Sequence, residues 1–297
     1  LRAPDTTPRH AAPRRERGDR DGYPLGMTNR SARTPRLIRI APAMLALSAL
    51  VSPAASADDG SGNPNAAVPA HSAAASAQRP AILVFTRTRG WRHDSIPQAV
   101  QALRELADAA GFDIVHSEDP AMFDHAGLAR FRAVVFANTT GEVLAPAQQA
   151  AFERYIAGGG AFMGVHSAAD TGKAWPWYGD LAGAWFRSHP HGLQTTQVRF
   201  EGGRGPDGLE RWQVTDELYN YDRNPRAVVD VVATVDESGY EGGTMGTDHP
   251  IAWCHAGAGG RAWYTGLGHA QALYADPVFR AHLLRGLRYA TGLSDAC

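Results

Sequence analysis

The chain has 297 residues, 44% of them hydrophobic and 20% charged, an ordinary globular composition that excludes a collagen-like, fully disordered or disulfide-scaffold protein. Residues 1–57 hold ten arginines and only four acids, so the formal net charge of −1 hides an acidic remainder, which argues against a nucleic-acid partner. Two cysteines, Cys254 and Cys297, are too few for a disulfide framework or a structural zinc knuckle, and the single lysine, Lys173, leaves little room for lysine-based phosphate or Schiff-base chemistry.

Residues 1–26 are rich in Arg, Pro and Asp without apolar periodicity and read as an extension upstream of a better start at Met27. After Met27 come Arg30, Arg33, Arg36 and Arg39, an apolar run from Ile40 to Val51 broken by Pro42, and Ala55-Ser56-Ala57 before Asp58. Residues 27–57 therefore read as a secretory signal peptide, implying a periplasmic or secreted protein. The apolar run falls far short of the roughly 20 residues a membrane span needs, so no stable membrane anchor is expected. Residues 58–79 are small and polar and read as a flexible linker. The folded domain is then 80–297.

Within it, Ala81–Phe85 is a continuous apolar run, the mark of a buried parallel strand. Ile96–Ala110 carries a helical stripe (Ile96, Val100, Leu103, Ala107) stopped by Gly111. Strands follow at Phe112–Val115, Ala133–Phe136 and Ala161–Val165, with helices at Asp124–Phe131 and Pro146–Ala157 between them. That alternation implies an α/β fold, a parallel sheet with helices on both faces. Its site should lie beyond the C-terminal strand ends, where Thr86–Ser95, Asn138–Gly141 and His166–Asp170 fall. The second half predicts an aromatic helix over Pro176–Phe186 and strands at Leu193–Phe200 and Val228–Val235. A hairpin follows from Ile251–His255 to Ala262–Thr265 through Gly257–Gly260, then a closing helix over Pro277–Thr291. It reads as an antiparallel extension of the same sheet.

Ten histidines lie in 80–297, and imidazole suits both metal ligation and proton transfer near neutral pH. His93 and His166 fall at strand ends, His189 and His249 precede prolines in loops, and His269 follows Gly266-Leu267-Gly268. For any one of them a surface or structural role is the simpler account; five on loops at one edge favour a site. Gly164-Val165-His166-Ser167-Ala168 has the strand-turn-helix form of a nucleophile elbow with His where Ser or Cys would stand. A serine triad of Ser167 with Asp170 is weak, and Cys254 reads as packing. Glu217 follows Asp216, and a carboxylate near histidines can complete a metal shell or act as a base. Trp175, Trp177 and Tyr178, with Trp185 and Phe186, suggest a carbohydrate pocket, although aromatic side chains also fill cores. No Gly-x-Gly-x-x-Gly follows the first strand, and Gly242–Gly246 lacks the Gly-Lys-Ser/Thr ending of a phosphate loop, so no nucleotide is expected.

Several segments together resemble the ThuA-like, trehalose-utilisation, family over about residues 80–292. They are Gly158–Ser167, Trp175-Pro176-Trp177-Tyr178, Ser188-His189-Pro190, Thr215–Tyr219, Gly243–Trp253 and Thr265-Gly266-Leu267-Gly268-His269. The resemblance implies a flavodoxin-like, class I glutamine amidotransferase-like doubly wound sheet, and links to trehalose-type disaccharides and 3-keto sugars. His166 replaces the amidotransferase cysteine, so amide hydrolysis through a thiolate is not expected. The positions matching its motifs are His93, His166, Asp170, His189, Glu217, His249 and His269. We therefore expect His166, His93, Asp170 and Glu217 as catalytic groups and Trp175, Trp177, Tyr178, Tyr219 and His249 as sugar contacts. His93, His166, His189, His269 and Glu217 are expected to converge on a divalent metal such as zinc. The expected function is that of an exported enzyme acting on a glycoside or keto-disaccharide by histidine acid/base chemistry. The alternative is a non-catalytic carbohydrate-binding module.

Overall fold

A computed structural model describes residues 79–297. The expectations for residues 1–26, the signal peptide at 27–57 and the linker up to residue 78 lie outside the described residues. Arg79, assigned by sequence to the linker, belongs to the fold: its guanidinium donates to the Asp108 carboxylate and the Phe112 carbonyl.

The first half follows the sequence pattern closely. It runs β1 (Ala81–Phe85), α1 (Ile96–Ala109), β2 (Asp113–Ser117), α2 (His125–Ala129), β3 (Phe131–Ala137), α3 (Pro146–Ala157) and β4 (Ala161–Val165). The apolar stripe of α1 is buried, and Gly111, at φ +88°, supplies the left-handed turn that ends it. The second half comprises α4 (Pro176–Ala182), β5 (Phe186–Ser188), β6 (Gln194–Phe200), β7 (Arg211–Asp216), β8 (Asn220–Tyr221), β9 (Asp230–Val235), β10 (Pro250–Gly257), β11 (Gly260–Thr265) and α5 (Pro277–Thr291). Asp276 caps α5, accepting from the Val278 and Phe279 amides at 2.8 and 3.0 Å, a cap worth about 1 kcal/mol.

Nine strands form one sheet in the order β2-β1-β3-β4-β11-β10-β9-β6-β7. The pairs from β2 to β11 are parallel and those from β11 to β7 antiparallel, as the sequence pattern led us to expect. Helices α3 and α5 both contact β4 and β11, and β4 is buried along its whole length, which explains its continuous apolar run. The chain steps from β1 outward to β2 and returns across β1 to β3. The strand order therefore reverses at β1 and β3, and a crevice opens beyond their C-terminal ends.

Three features depart from the sequence reading. Helix α4 stops at Ala182 rather than Phe186, because Gly183 turns the chain at φ +93°, and Phe186–Ser188 pairs instead with β8 in a separate two-stranded sheet. Strand β7 has no sequence counterpart in our reading: only Trp212, Val214 and Asp216 face inward, between Arg, Gln and Thr. Cys254 and Cys297 form a disulfide joining β10 to the last residue of the chain, with Cα atoms 6.3 Å apart. Among the described residues, no helix is long and apolar enough to cross a membrane.

Candidate metal centre

Four loops at the C-terminal edge of the sheet bring His93, His166, His269 and Glu217 together, each offering one donor atom, with the four donors within 4.8 Å of one another. His166 ends β4 at φ +52°, a left-handed conformation that costs a β-carbon residue about 1–2 kcal/mol and so has to be imposed by its surroundings. The Tyr264 hydroxyl donates to the His166 carbonyl at 2.8 Å. His166 Nδ1 lies 2.8 Å from the Gly266 carbonyl, which only accepts, so Nδ1 carries a proton and Nε2 is the nitrogen turned toward Glu217. The Tyr219 ring covers the imidazole with centroids 4.3 Å apart. His93, beyond β1, places Nδ1 3.2 Å from Ser167 Oγ and its ring edge-on to His166 at 4.7 Å.

His269 sits on the turn after β11, which is clamped from several sides. Asp216 at the end of β7 accepts from the Gly268 and Ala270 amides at 2.6 and 2.7 Å. Asn138 after β3 and Tyr274 both donate to the Gly268 carbonyl at 3.1 and 2.9 Å, and Ser95 after β1 donates to it at 3.1 Å. Gly268 takes φ +126°, and a side chain there would press on the Tyr274 hydroxyl. Glu217 follows Asp216 directly, so the carboxylate that anchors the His269 turn also fixes where Glu217 begins.

Two ring nitrogens of the group, His166 Nε2 and His269 Nδ1, are buried without a hydrogen-bond partner, as are Trp263 Nε1 and His282 Nδ1 away from it. The two in the group lie 3.4 and 3.2 Å from the same oxygen, Glu217 Oε2. A buried polar atom left without a partner is costly unless something absent from the protein satisfies it. Burial, with His166 and His269 alongside, pushes His93 down to about 3, so its ring is neutral at ordinary pH, the form that binds metal. Burial alone would raise Glu217, but the adjacent His166 and His269 outweigh it and hold the carboxyl well below its usual range. The Glu217 carboxylate in turn raises His269 against the effect of burial. Three imidazoles and a carboxylate are the donor set of a borderline divalent ion.

The family model for ThuA, described as trehalose utilisation, matches residues 81–290. The chain belongs to the ThuA family. It is similar in fold to the crystal structure of a ThuA-like protein from Bacteroides uniformis, at 22% identity over 75% of this chain and 95% of that one, with a TM-score of 0.61. A second ThuA-like protein, from Parabacteroides merdae, is 20% identical over 72% of this chain and 90% of its own, with a TM-score of 0.59. No curated protein matches the chain.

Of the residues expected at the site, the ThuA-family fold unites His93, His166, His269 and Glu217 and leaves others out. His189, expected as a ligand, stands outside the group: its Nδ1–H donates to the Pro190 carbonyl at 2.7 Å and lies 3.3 Å from the other Glu217 oxygen, Oε1. Asp170, expected to be catalytic, pairs instead with Lys173 at 2.8 Å. His249 is completely buried, its Nε2 2.8 Å from the Tyr219 carbonyl, so it supports the Tyr219 backbone and is shielded from a sugar. Trp175 and Tyr178 also fail as sugar contacts, because their rings stack on each other in the core at 5.4 Å and Tyr178 donates to the Ala168 carbonyl. Trp177 faces a different cavity. Tyr219 is buried, a wall against His166 rather than an open platform. The disulfide removes Cys254 as a nucleophile, and Ser167 is fully buried against His93. Asn138, Ser95, Tyr274 and the anchoring role of Asp216 were not foreseen. The signals for Ser95 and Asn138 are the polar segments after β1 and β3, Thr86–Ser95 and Asn138–Gly141.

Proposed function

We propose that this ThuA-family protein is an exported enzyme acting on a glycoside or keto-disaccharide, with His93, His166, His269 and Glu217 holding a divalent metal of the zinc class. The observation that carries the reading is the pair of buried, unpartnered nitrogens, His166 Nε2 and His269 Nδ1, aimed with Glu217 Oε2 at one point. Bound there, the ion supplies Lewis acidity toward a carbonyl oxygen of the substrate. The chain's own residues do the rest. The Gly266 carbonyl and Ser167 hold the His166 and His93 rings, and Asp216 holds the turn of His269. His189, its Nδ1–H committed to the Pro190 carbonyl beside Glu217, has Nε2 as its remaining ring nitrogen on a side chain 39% exposed. That nitrogen would take the proton of a C–H beside a ketone, the C–H electron pair passing toward the ketone oxygen. The trehalose-utilisation description supports a saccharide substrate, and the disulfide supports an oxidising compartment.

The test is metal analysis of the purified protein followed by incubation with 3-keto-disaccharides. Stoichiometric metal is expected, with affinity falling about 10–100-fold or more in Glu217→Gln. His189→Gln should retain metal and lose turnover. Failure to bind zinc, or equal binding by Glu217→Gln, overturns the metal assignment. Turnover undiminished in His189→Gln overturns the base. Export is checked by N-terminal sequencing of the periplasmic protein, which should begin near Asp58.

A further inference from the structure

A cavity of about 620 Å³ lies at the other end of the sheet from the metal centre, and none of the four candidate ligands lines it. One wall is His255–Gly257, where β10 ends opposite Gly260, the first residue of β11. His269 follows the far end of β11, so a six-residue strand, about 20 Å at roughly 3.3 Å per residue, separates the two.

The lining combines an apolar wall with both kinds of hydrogen-bonding group. Trp177 stacks its inner face on Trp175, with centroids 5.3 Å apart, and its half-buried ring borders the cavity. Leu181 and Val228 continue the apolar surface, Val228 being 67% exposed. The Arg223 guanidinium is fixed by donating to the Gly183 and Gly179 carbonyls at 2.8 and 3.0 Å through Nε and Nη2, which leaves Nη1 to donate elsewhere. Asp180 meets Arg223 through Oδ1, leaving Oδ2 as an acceptor. His255 donates from Nε2 to the Leu181 carbonyl at 2.9 Å, which leaves Nδ1 as a second acceptor.

A purely apolar ligand would strip water from Arg223 and Asp180 without replacing it, and an anion would meet the Asp180 carboxylate. A ligand with one apolar C–H face and a rim of hydroxyls, each both donor and acceptor, satisfies every group. We propose that this cavity binds a pyranose ring, stacked on Trp177 with its hydroxyls held by Arg223, Asp180 and His255, as a saccharide site separate from the metal centre. The site is independent of the metal reading and of the substrate proposed there.

The full chain, labelled with ¹⁵N at its tryptophan indoles, is titrated with methyl α-glucopyranoside and, separately, with acyclic sorbitol. Trp177→Phe identifies the Trp177 resonance, and Val228→Trp fills the cavity from an exposed position that the fold does not need. The expected result is a saturable shift of the Trp177 resonance with the pyranoside, about tenfold weaker binding in Val228→Trp and with sorbitol, and no change in Glu217→Gln. No saturable shift, an equal response to sorbitol, full binding in Val228→Trp, or loss of binding in Glu217→Gln overturns the proposal.

Discussion

Asp216 and Glu217 are adjacent in the chain, yet their carboxylates face different partners. Asp216 is completely buried and receives the amides of Gly268 and Ala270, whereas Glu217 faces the imidazoles. Asp216→Asn turns an amide N–H₂ toward backbone donors. It should cost about 1–3 kcal/mol of stability, read by urea denaturation, and weaken zinc binding about 10–100-fold, read by competition titration. His282 makes a second residue-scale prediction. It is fully buried beside Trp263 and Phe200, and burial pushes its ring down to about 3, against about 6.5 when unfolded. Below pH 6.5 the unfolded chain takes up a proton there that the folded chain refuses, so this contribution is complete above pH 6.5 and is lost as pH falls toward 3. The slope is about 1.4 kcal/mol per pH unit. Denaturation of His282→Phe between pH 7 and pH 5 should show a shallower decline than wild type, and an identical decline would refute the assignment.

The disulfide acts at the level of elements. It ties the residues beyond α5 to β10 across a sequence separation of 43, for which chain entropy gives about 4 kcal/mol and measured values run about 2–4. Cys297→Ser should lower stability by that amount, and reduction of wild type should lower it equally, both read by thermal melting. Zinc affinity should not change, because Cys254 pairs across β10 and β11 with Trp263, well before the turn that carries His269. That turn is itself an assembly of elements, since the ends of β1, β3 and β7 all bond to it through Ser95, Asn138 and Asp216.

For the molecule as a whole, metal binding and folding are linked, because the four donors come from segments that only the folded sheet brings together. Zinc at about a hundred times its dissociation constant adds about 2.7 kcal/mol, so chelation by EDTA should lower Tm by roughly 5–10 °C for a domain of this size. Glu217→Gln, binding about 10–100-fold more weakly, should lose only about 0.4–1.4 kcal/mol on chelation. A chain beginning at Arg79 should keep the stability of the longer one, because Arg79 already closes the C-terminal end of α1 through Asp108 and Phe112.

Much of the fold was legible in the sequence because its central strands are covered on both faces. Ala81–Phe85 and Ala161–Val165 must be apolar throughout, and such runs with glycine stops between them specify a parallel α/β sheet. His93 and His166 were legible as strand-end residues for the same reason. Strand β7 was not: one of its faces is exposed, and the residue completing its buried face, Asp216, is a charge whose partners lie 52 and 54 residues away. Trp175, Trp177 and Tyr178 signalled apolar surface, but sequence carries no sign of whether a ring turns into the core or toward a cavity; the packing of these rings against one another and Phe152 decided that. His189 and His269 were equivalent as loop histidines, and only the tertiary structure separated them. The clamped turn after β11 aims His269 at Glu217 Oε2, while the Pro190 carbonyl holds His189 on the opposite oxygen. Local patterning determines which elements form, because it reflects burial of nearby side chains. The donor set of a site depends on side-chain directions fixed by contacts far apart in the chain.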